Sequence, residues 1–302
     1  MAGSPPRAWT WAAIVALSLL MTMGNIVSAT GSGLACPDWP LCHGRLLPPA
    51  EMQVLIEFSH RLKAIPFTLL LLVTVALTWR RTTARAPRRL SLILVALLAA
   101  QIGLGGLTVL FKLLDLVSTA HLVNALLILA GLVMLAEGTR AHPTVPAWLK
   151  RLAVAGLAAL LLQLALGGYV RHAGAGLACP DFPLCSGSLL PHGWESAVHW
   201  IHRWLGVALL GFFVHLALAA RRTALARPAA VAAGLAILQV VLGIMAVFGG
   251  LAVPLRAAHA VGAYALWGVL VWLSVHAECW SAVARGAQAP AREIVDGVAR
   301  AS

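Results

Sequence analysis

The chain is 302 residues long, 61% hydrophobic and only 11% charged. Soluble domains carry roughly 25% charged residues, so this composition excludes an ordinary soluble protein and points to the bilayer. The formal net charge of +12 invites comparison with nucleic-acid binders, but its distribution along the chain implies no nucleic-acid partner.

Apolar runs of about 20 residues, the length that crosses a hydrocarbon core, place eight transmembrane helices near 9–29, 56–79, 90–110, 117–138, 152–171, 197–220, 229–250 and 256–278. The first run follows Arg7 and resembles a secretory signal. Its length, and its match to the fifth run, identify it as a retained span. Fifteen of the Lys and Arg residues fall in the N-tail, the loops 80–89, 139–151 and 221–227, and the tail after 278. Seven fall elsewhere: Arg45, Arg61, Lys63, Lys112, Arg171, Arg203 and Arg256. The positive-inside rule then puts both termini in the cytoplasm. The expected localisation is the cytoplasmic (inner) membrane, multi-pass, with the cysteine-bearing loops on the extracytoplasmic side.

The chain repeats itself. GSGLACPDWPLCHG, from Gly31, returns as GAGLACPDFPLCSG from Gly174, and Cys36 and Cys42 match Cys179 and Cys185 at one offset. Ser59-His60-Arg61 matches Ile201-His202-Arg203, and Gln101 precedes His121 by the same interval that separates Gln239 from His259. An even number of spans per repeat returns the chain to its starting side. The expected fold is therefore an all-α integral membrane protein of two tandem pseudo-symmetric four-helix bundles. The units are 1–139 and 152–279, with a cytoplasmic linker at 140–151 and a cytoplasmic tail at 280–302.

Four of the eleven histidines form a pattern. His60 and His121 are expected about four residues inside the outer ends of helices two and four, roughly 6 Å deep. His202 and His259 repeat this on helices six and eight. Imidazoles facing each other across a four-helix bundle can ligate one heme iron axially. Zinc would want three or four protein ligands. Buried histidines that only hydrogen-bond between helices are the competing explanation. Arg61 and Arg203 follow the helix-two and helix-six histidines and could pair with heme propionates or anchor the interface. His215 and His276, near cytoplasmic ends, and His142, in a cytoplasmic loop, read as incidental.

The halves diverge one turn earlier. The first reads Glu57-Phe-Ser-His60 and the second His199-Trp-Ile-His202. At i, i+3 these residues share a helix face, so Glu57 points toward the space of His60 while His199 takes that place in the second half. An ionisable residue at a membrane boundary is a functional candidate by default. Glu57 could handle protons in catalysis, or it could cap and anchor the helix.

With these motifs, the EFSHR of 57–61 and the STAHLVNA around His121, the sequence resembles the heme A synthase family over essentially its whole length. The resemblance implies an oxidoreductase that oxidises the C8 methyl of heme O to a formyl group by successive hydroxylations, supplying heme A for cytochrome oxidase. It implies a heme b cofactor on His202 and His259, a substrate heme O site at His60 and His121, and a catalytic role for Glu57. Heme O synthase and cytochrome oxidase assembly factors are the implied protein partners, and a homo-oligomer is in keeping with the family. A di-heme electron-transfer protein or heme carrier is the alternative, and the Glu57/His199 asymmetry speaks for the enzyme.

Both cysteine pairs are expected outside the cytoplasm, where disulfides form, as Cys36–Cys42 and Cys179–Cys185. The second is expected to brace its loop. For the first, the family suggests a redox or heme-transfer role beside bracing, and His43, replaced by Ser186 in the second copy, hints at a task of the first loop alone. Cys279 reads as a free thiol. Glycines near Gln101, Gln163 and Gln239, among them Gly105, Gly167 and Gly243, would let helices or a macrocycle approach closely.

Overall fold

The computed structural model describes residues 4–138 and 143–277. His142, Cys279 and the tail assigned to 280–302 lie outside the described residues. Eight helices in it are long and apolar enough to cross a membrane. They are α1 (Arg7–Ala29), α2 (Met52–Arg81), α3 (Arg85–Leu110), α4 (Asp115–Glu137), α5 (Ala147–His172), α6 (Trp194–Ala220), α7 (Ala226–Phe248) and α8 (Val253–His276). The protein is an all-α, multi-pass membrane protein. Helices are what lipid demands, because every main-chain donor and acceptor in the hydrocarbon must be satisfied within the segment. The polar side chains inside the spans obey the same rule. Thr10, Ser18, Thr22, Thr74 and Thr78 each donate to the carbonyl four residues earlier.

Several helices run past the apolar windows. α2 starts at Met52 and α3 at Arg85, a turn earlier than hydropathy places them, because the helical ladder does not stop where the hydrocarbon stops. The histidines therefore stand farther from the helix starts than from the edges of the apolar windows. His60 and His202 each lie eight residues into α2 and α6, and His121 and His259 each lie six into α4 and α8. At 1.5 Å per residue these distances are about 12 Å and 9 Å.

Helices α1 to α4 pack in sequence with α4 returning to α1, and α5 to α8 pack likewise with α8 returning to α5. The two sets meet where α4 lies against α5 and α8, and α1 against α8. α4 is accordingly among the most buried spans, lined by residues such as Leu126, Ile128 and Leu132. Trp267 of α8 donates its indole hydrogen to the Leu126 carbonyl across this seam at 2.8 Å. Arg7 ties the start of α1 to Glu137 at the end of α4 at 2.7 Å. Outward-facing Val15, Leu19, Leu69, Leu162 and Leu218 remain exposed, as a lipid-facing surface requires.

Candidate functional site

Each of the four histidines lies in a notch cut by a glycine on the preceding helix. A Cβ added to Gly24 of α1 would meet His60 Cε1 at 2.9 Å, and one on Gly167 of α5 would meet His202 Cε1 at 2.7 Å. Gly105 of α3 and Gly243 of α7 stand in the same relation to His121 and His259, both at 3.3 Å. The rings are thus held in helix grooves that a Cβ would close at Gly24 and Gly167 and crowd at Gly105 and Gly243. Each ring also faces the main-chain carbonyl one turn before its glycine: Leu20, Gln101, Gln163 and Gln239. The Nδ1 atoms of His60, His121 and His202 are nonetheless buried without a well-formed hydrogen bond. Within each pair the rings are near enough to interact electrostatically.

Gly24 was not singled out from the sequence. The signal was present: Gly24 and Gly167 stand at the offset of the repeated cysteines.

Around His202 and His259 lies a cavity of about 320 Å³, in the size range of small-molecule sites. Gly167, Gly206 and Gly243 floor it, and Asn25, Ala29 and Leu122 reach it from the first half. Its walls are mainly apolar. Among the described residues no group of three or more His, Cys, Asp or Glu side chains could hold a bare metal ion. Two facing imidazoles suit instead a metal whose remaining ligands come with a macrocycle, as in an iron porphyrin.

The two cysteine loops cover these histidines. Cys36–Cys42 and Cys179–Cys185 are disulfides, with S–S distances of 2.02 and 2.00 Å. Asp38 clamps the first loop by accepting from the amides of His43 at 2.6 Å and Gly44 at 2.7 Å. Asp181 does the same with Ser186 and Gly187. The Gly44 amide, followed by that of His43, holds the Asp38 carboxyl below its ordinary pKa, and the amides of Gly187 and Ser186 do so for Asp181. His43 takes a positive φ of 55°, and its Nε2 lies 2.9 Å from the Ala35 carbonyl oxygen. Its imidazole therefore braces the first loop from within.

Arg61 and Arg203 are turned into these loops. The Nη groups of Arg61 donate to the carbonyls of Asp38, Leu41 and Cys36 at 2.7, 2.6 and 3.0 Å. Arg203 donates to the carbonyls of Asp181, Leu184 and Cys179. Glu57 completes the first arrangement. It is buried, its Oε1 lies 2.5 Å from Arg61, and its Oε2 accepts from the Cys36 amide at 2.8 Å. His199 occupies the matching place, with Nδ1 3.3 Å from the Cys179 amide nitrogen and Nε2 3.2 Å from Arg203 Nε. The common position of Glu57 and His199 was legible from the sequence; that both turn to the cysteine loops was not. Nor was it legible that the neighbouring arginines would grip the same loops.

Two further contacts separate the halves. The indole of Trp39 lies against Gly106, where a Cβ would come within 3.1 Å. The corresponding Phe182 borders the cavity together with Ile244. Gln101 Nε2 lies 3.2 Å from His121 Nε2 while its Oε1 accepts from Asn124 at 2.6 Å. The Gln239 amide, by contrast, faces the main chain, and with its nitrogen turned toward the His259 carbonyl it would donate there and accept from the Ala263 amide.

The sequence profile of the COX15-CtaA family, described as "Cytochrome oxidase assembly protein", matches residues 7–271. The chain belongs to this family. Among its relatives is the heme A synthase of Exiguobacterium sibiricum, 33% identical over 277 residues, covering 86% of this chain and 91% of that protein. The heme A synthase of Bacillus pumilus is 31% identical over 276 residues, covering 84% and 89%. That of Symbiobacterium thermophilum is 33% identical over 290 residues, covering 88% and 94%. The COX15-CtaA match thus spans both histidine pairs and both cysteine loops.

Proposed function

We infer that this chain is a heme A synthase, an oxidoreductase that converts the C8 methyl of heme O to the formyl group of heme A for cytochrome oxidase. The observation that carries the reading is the pairing of two similar glycine-notched histidine pairs with a carboxylate, Glu57, at only one of them. A carrier of two equivalent hemes has no need of that difference. An enzyme with one reacting heme and one resident heme does.

We assign heme O as substrate to His60 and His121, and heme b as cofactor to His202 and His259. The glycine notches and the largely apolar cavity suit a flat macrocycle held edge to edge between helices. Bound there, heme b supplies one-electron transfer. The units 1–139 and 152–279 are then the substrate and cofactor halves, joined by 140–151. Each hydroxylation, methyl to alcohol and alcohol to geminal diol, adds one oxygen and removes two electrons from the carbon. The reaction therefore draws on an external oxidant and an oxygen donor (dioxygen, or water with an electron acceptor); loss of water from the diol leaves the aldehyde. We assign Glu57 to the chemistry of the first half: its buried carboxylate stands one turn before His60 and holds both the Cys36 amide of the covering loop and Arg61. We assign Arg61 and Arg203 to anchoring the loops rather than to heme propionates, because each guanidinium donates to three loop carbonyls.

The charge asymmetry of the loops supports cytoplasmic termini and extracytoplasmic cysteine loops in the inner membrane. Heme O synthase and cytochrome oxidase assembly factors are the partners this role implies, and self-association would keep both in reach. The test is co-expression with a source of heme O, followed by mass analysis of extracted hemes. Heme A, or its hydroxylated precursor, is expected. A well-folded, heme-loaded protein that yields neither would establish the carrier reading instead.

A further inference from the structure

Two arginines of the second half have no acidic partner. Arg171 is the penultimate residue of α5, one turn beyond Gly167, and Arg256 lies in the first turn of α8, three residues before His259. Both border the cavity that holds His202 and His259. Among the described residues the ion pairs are Arg7–Glu137 and Arg61–Glu57, and neither involves them. The Nε of each is buried with no hydrogen-bond partner. Their other contacts are with neutral groups: Arg256 donates to the Ala29 carbonyl, and Arg171 hydrogen-bonds the Tyr264 side chain and has Nη2 3.2 Å from His172 Nε2.

The surroundings make these charges costly. Arg256 occupies the N-terminal turn of a helix, where the macrodipole is already positive, and the two guanidiniums are close enough to repel each other. Asn25 adds a buried Oδ1 without a donor at the same cavity. A pair of cations placed this way at a membrane boundary is unfavourable alone and favourable around an anion.

The first half lacks the pair. The residue one turn beyond Gly24 is Ser28, and the residue three before His121 is Ser118. The first turn of α4 carries Asp115 where α8 has Val253. The scaffold of glycine and histidine is repeated, and the cations appear at one copy only.

We propose that Arg171 and Arg256 form a carboxylate clamp for the propionates of the heme resident between His202 and His259, and that serines in the first half leave its heme free to depart. The proposal rests on the assignment of the resident heme to those two histidines. Guanidinium pairs carboxylate through two parallel hydrogen bonds, and a porphyrin held by its iron and by both carboxylates is fixed at three points. A product that must be handed on is better held at fewer.

The test uses the full-length protein in detergent. Protein isolated from heme-deficient cells is titrated with protoheme and with its dimethyl ester, in wild type and in R171Q, R256Q, the double Gln variant and the R171K/R256K pair. Transfer of bound heme to a scavenging apoprotein is followed in parallel. Wild type is expected to prefer the free acid at least about tenfold, as for one charged pair of about 1.4 kcal/mol. The double Gln variant should lose that preference and release low-spin heme about tenfold faster, and the Lys pair should keep part of both. Equal affinity of wild type for acid and ester overturns the proposal without any variant. So does an unchanged preference in the double Gln variant, including the case in which it loses only co-purifying phospholipid. Wild-type low-spin heme surviving in His202→Ala or His259→Ala would instead show that the ligand assignment is wrong.

Discussion

At the first histidine pair a carboxylate, Glu57, faces the covering loop; at the second an imidazole, His199, does so from the same helical position. The difference is chemical as well as steric. Each residue is approached by a main-chain amide and by an arginine N–H. A carboxylate accepts both. A neutral imidazole has one acceptor nitrogen and can accept only one. The first loop is therefore tied to a group whose grip depends on its charge, and the second rests mainly on the three carbonyl contacts of Arg203. Trp39 against Gly106, the Gln101–His121 contact and Ser28 with Ser118 fall on the same side of this divide. On the proposed reading, the repeated frame is the common ligand site, and the substitutions around it are what distinguish a heme that reacts and leaves from one that stays.

The largest expected effect tests the resident site. His259→Ala should abolish the low-spin heme spectrum of the purified protein, and an intact spectrum would reverse the roles assigned to the two halves. Next is Glu57→Gln, which keeps an acceptor for the Cys36 amide but removes the charge. Heme A formation should fall by about 10²-fold or more while the resident heme spectrum is unchanged; product yield near wild type would remove the main contrast between the halves.

A finer comparison lies within the second half. Gly167→Ala should displace the His202 ring, since its Cβ would meet Cε1 at 2.7 Å, whereas Gly243→Ala meets His259 at 3.3 Å and needs only a small adjustment. Overpacking of this kind costs about 1–3 kcal/mol, so resident heme loss should be roughly tenfold greater for Gly167→Ala. Equal retention in the two variants would show that the notch does not set ring position.

His199→Glu should tighten the second loop by about 1 kcal/mol, read as a higher thermal midpoint and slower proteolysis across 173–193. Lower stability would mean that His199 serves the cavity rather than the loop. The smallest effect concerns Asp38. Its pKa lies below the ordinary 3.8 because the folded loop's amides bind the charged form. The contribution is therefore complete above that value and is lost only as pH falls below it. Reduction of Cys36–Cys42 by dithiol should be independent of pH through Asp38 near neutrality and modestly faster in Asp38→Asn; identical rates would show that the clamp adds nothing to the disulfide.

Much of the fold was legible from hydropathy and repetition. Helix ends were less so, because the first turns of α2 and α3 continue through residues such as Gln53 and Arg88 that no hydropathy window favours. The histidines and Glu57 announced themselves as ionisable groups at repeated positions. Arg61 and Arg203 were legible as neighbours of the histidines but not as loop ties: adjacency in sequence places them about a hundred degrees around the helix from the histidine, where they meet the loop carbonyls. Arg171, Arg256 and Gly24 carried weak signals, visible only when each half is aligned on its own histidine.

What the sequence determined by itself is what composition and local spacing can encode: eight apolar spans, a duplicated cysteine loop, and ionisable residues at matched points of a helical register. Those properties follow from the length of a bilayer crossing and the pitch of a helix, and they need no partner to be read. What only the tertiary structure decided is which distant groups meet. Glycines fit the histidines of the next helix because side-by-side packing brings their surfaces within van der Waals contact. Arg171 and Arg256 share a cavity because α8 closes back on α5, so that residues far apart in the chain put two like charges around one space.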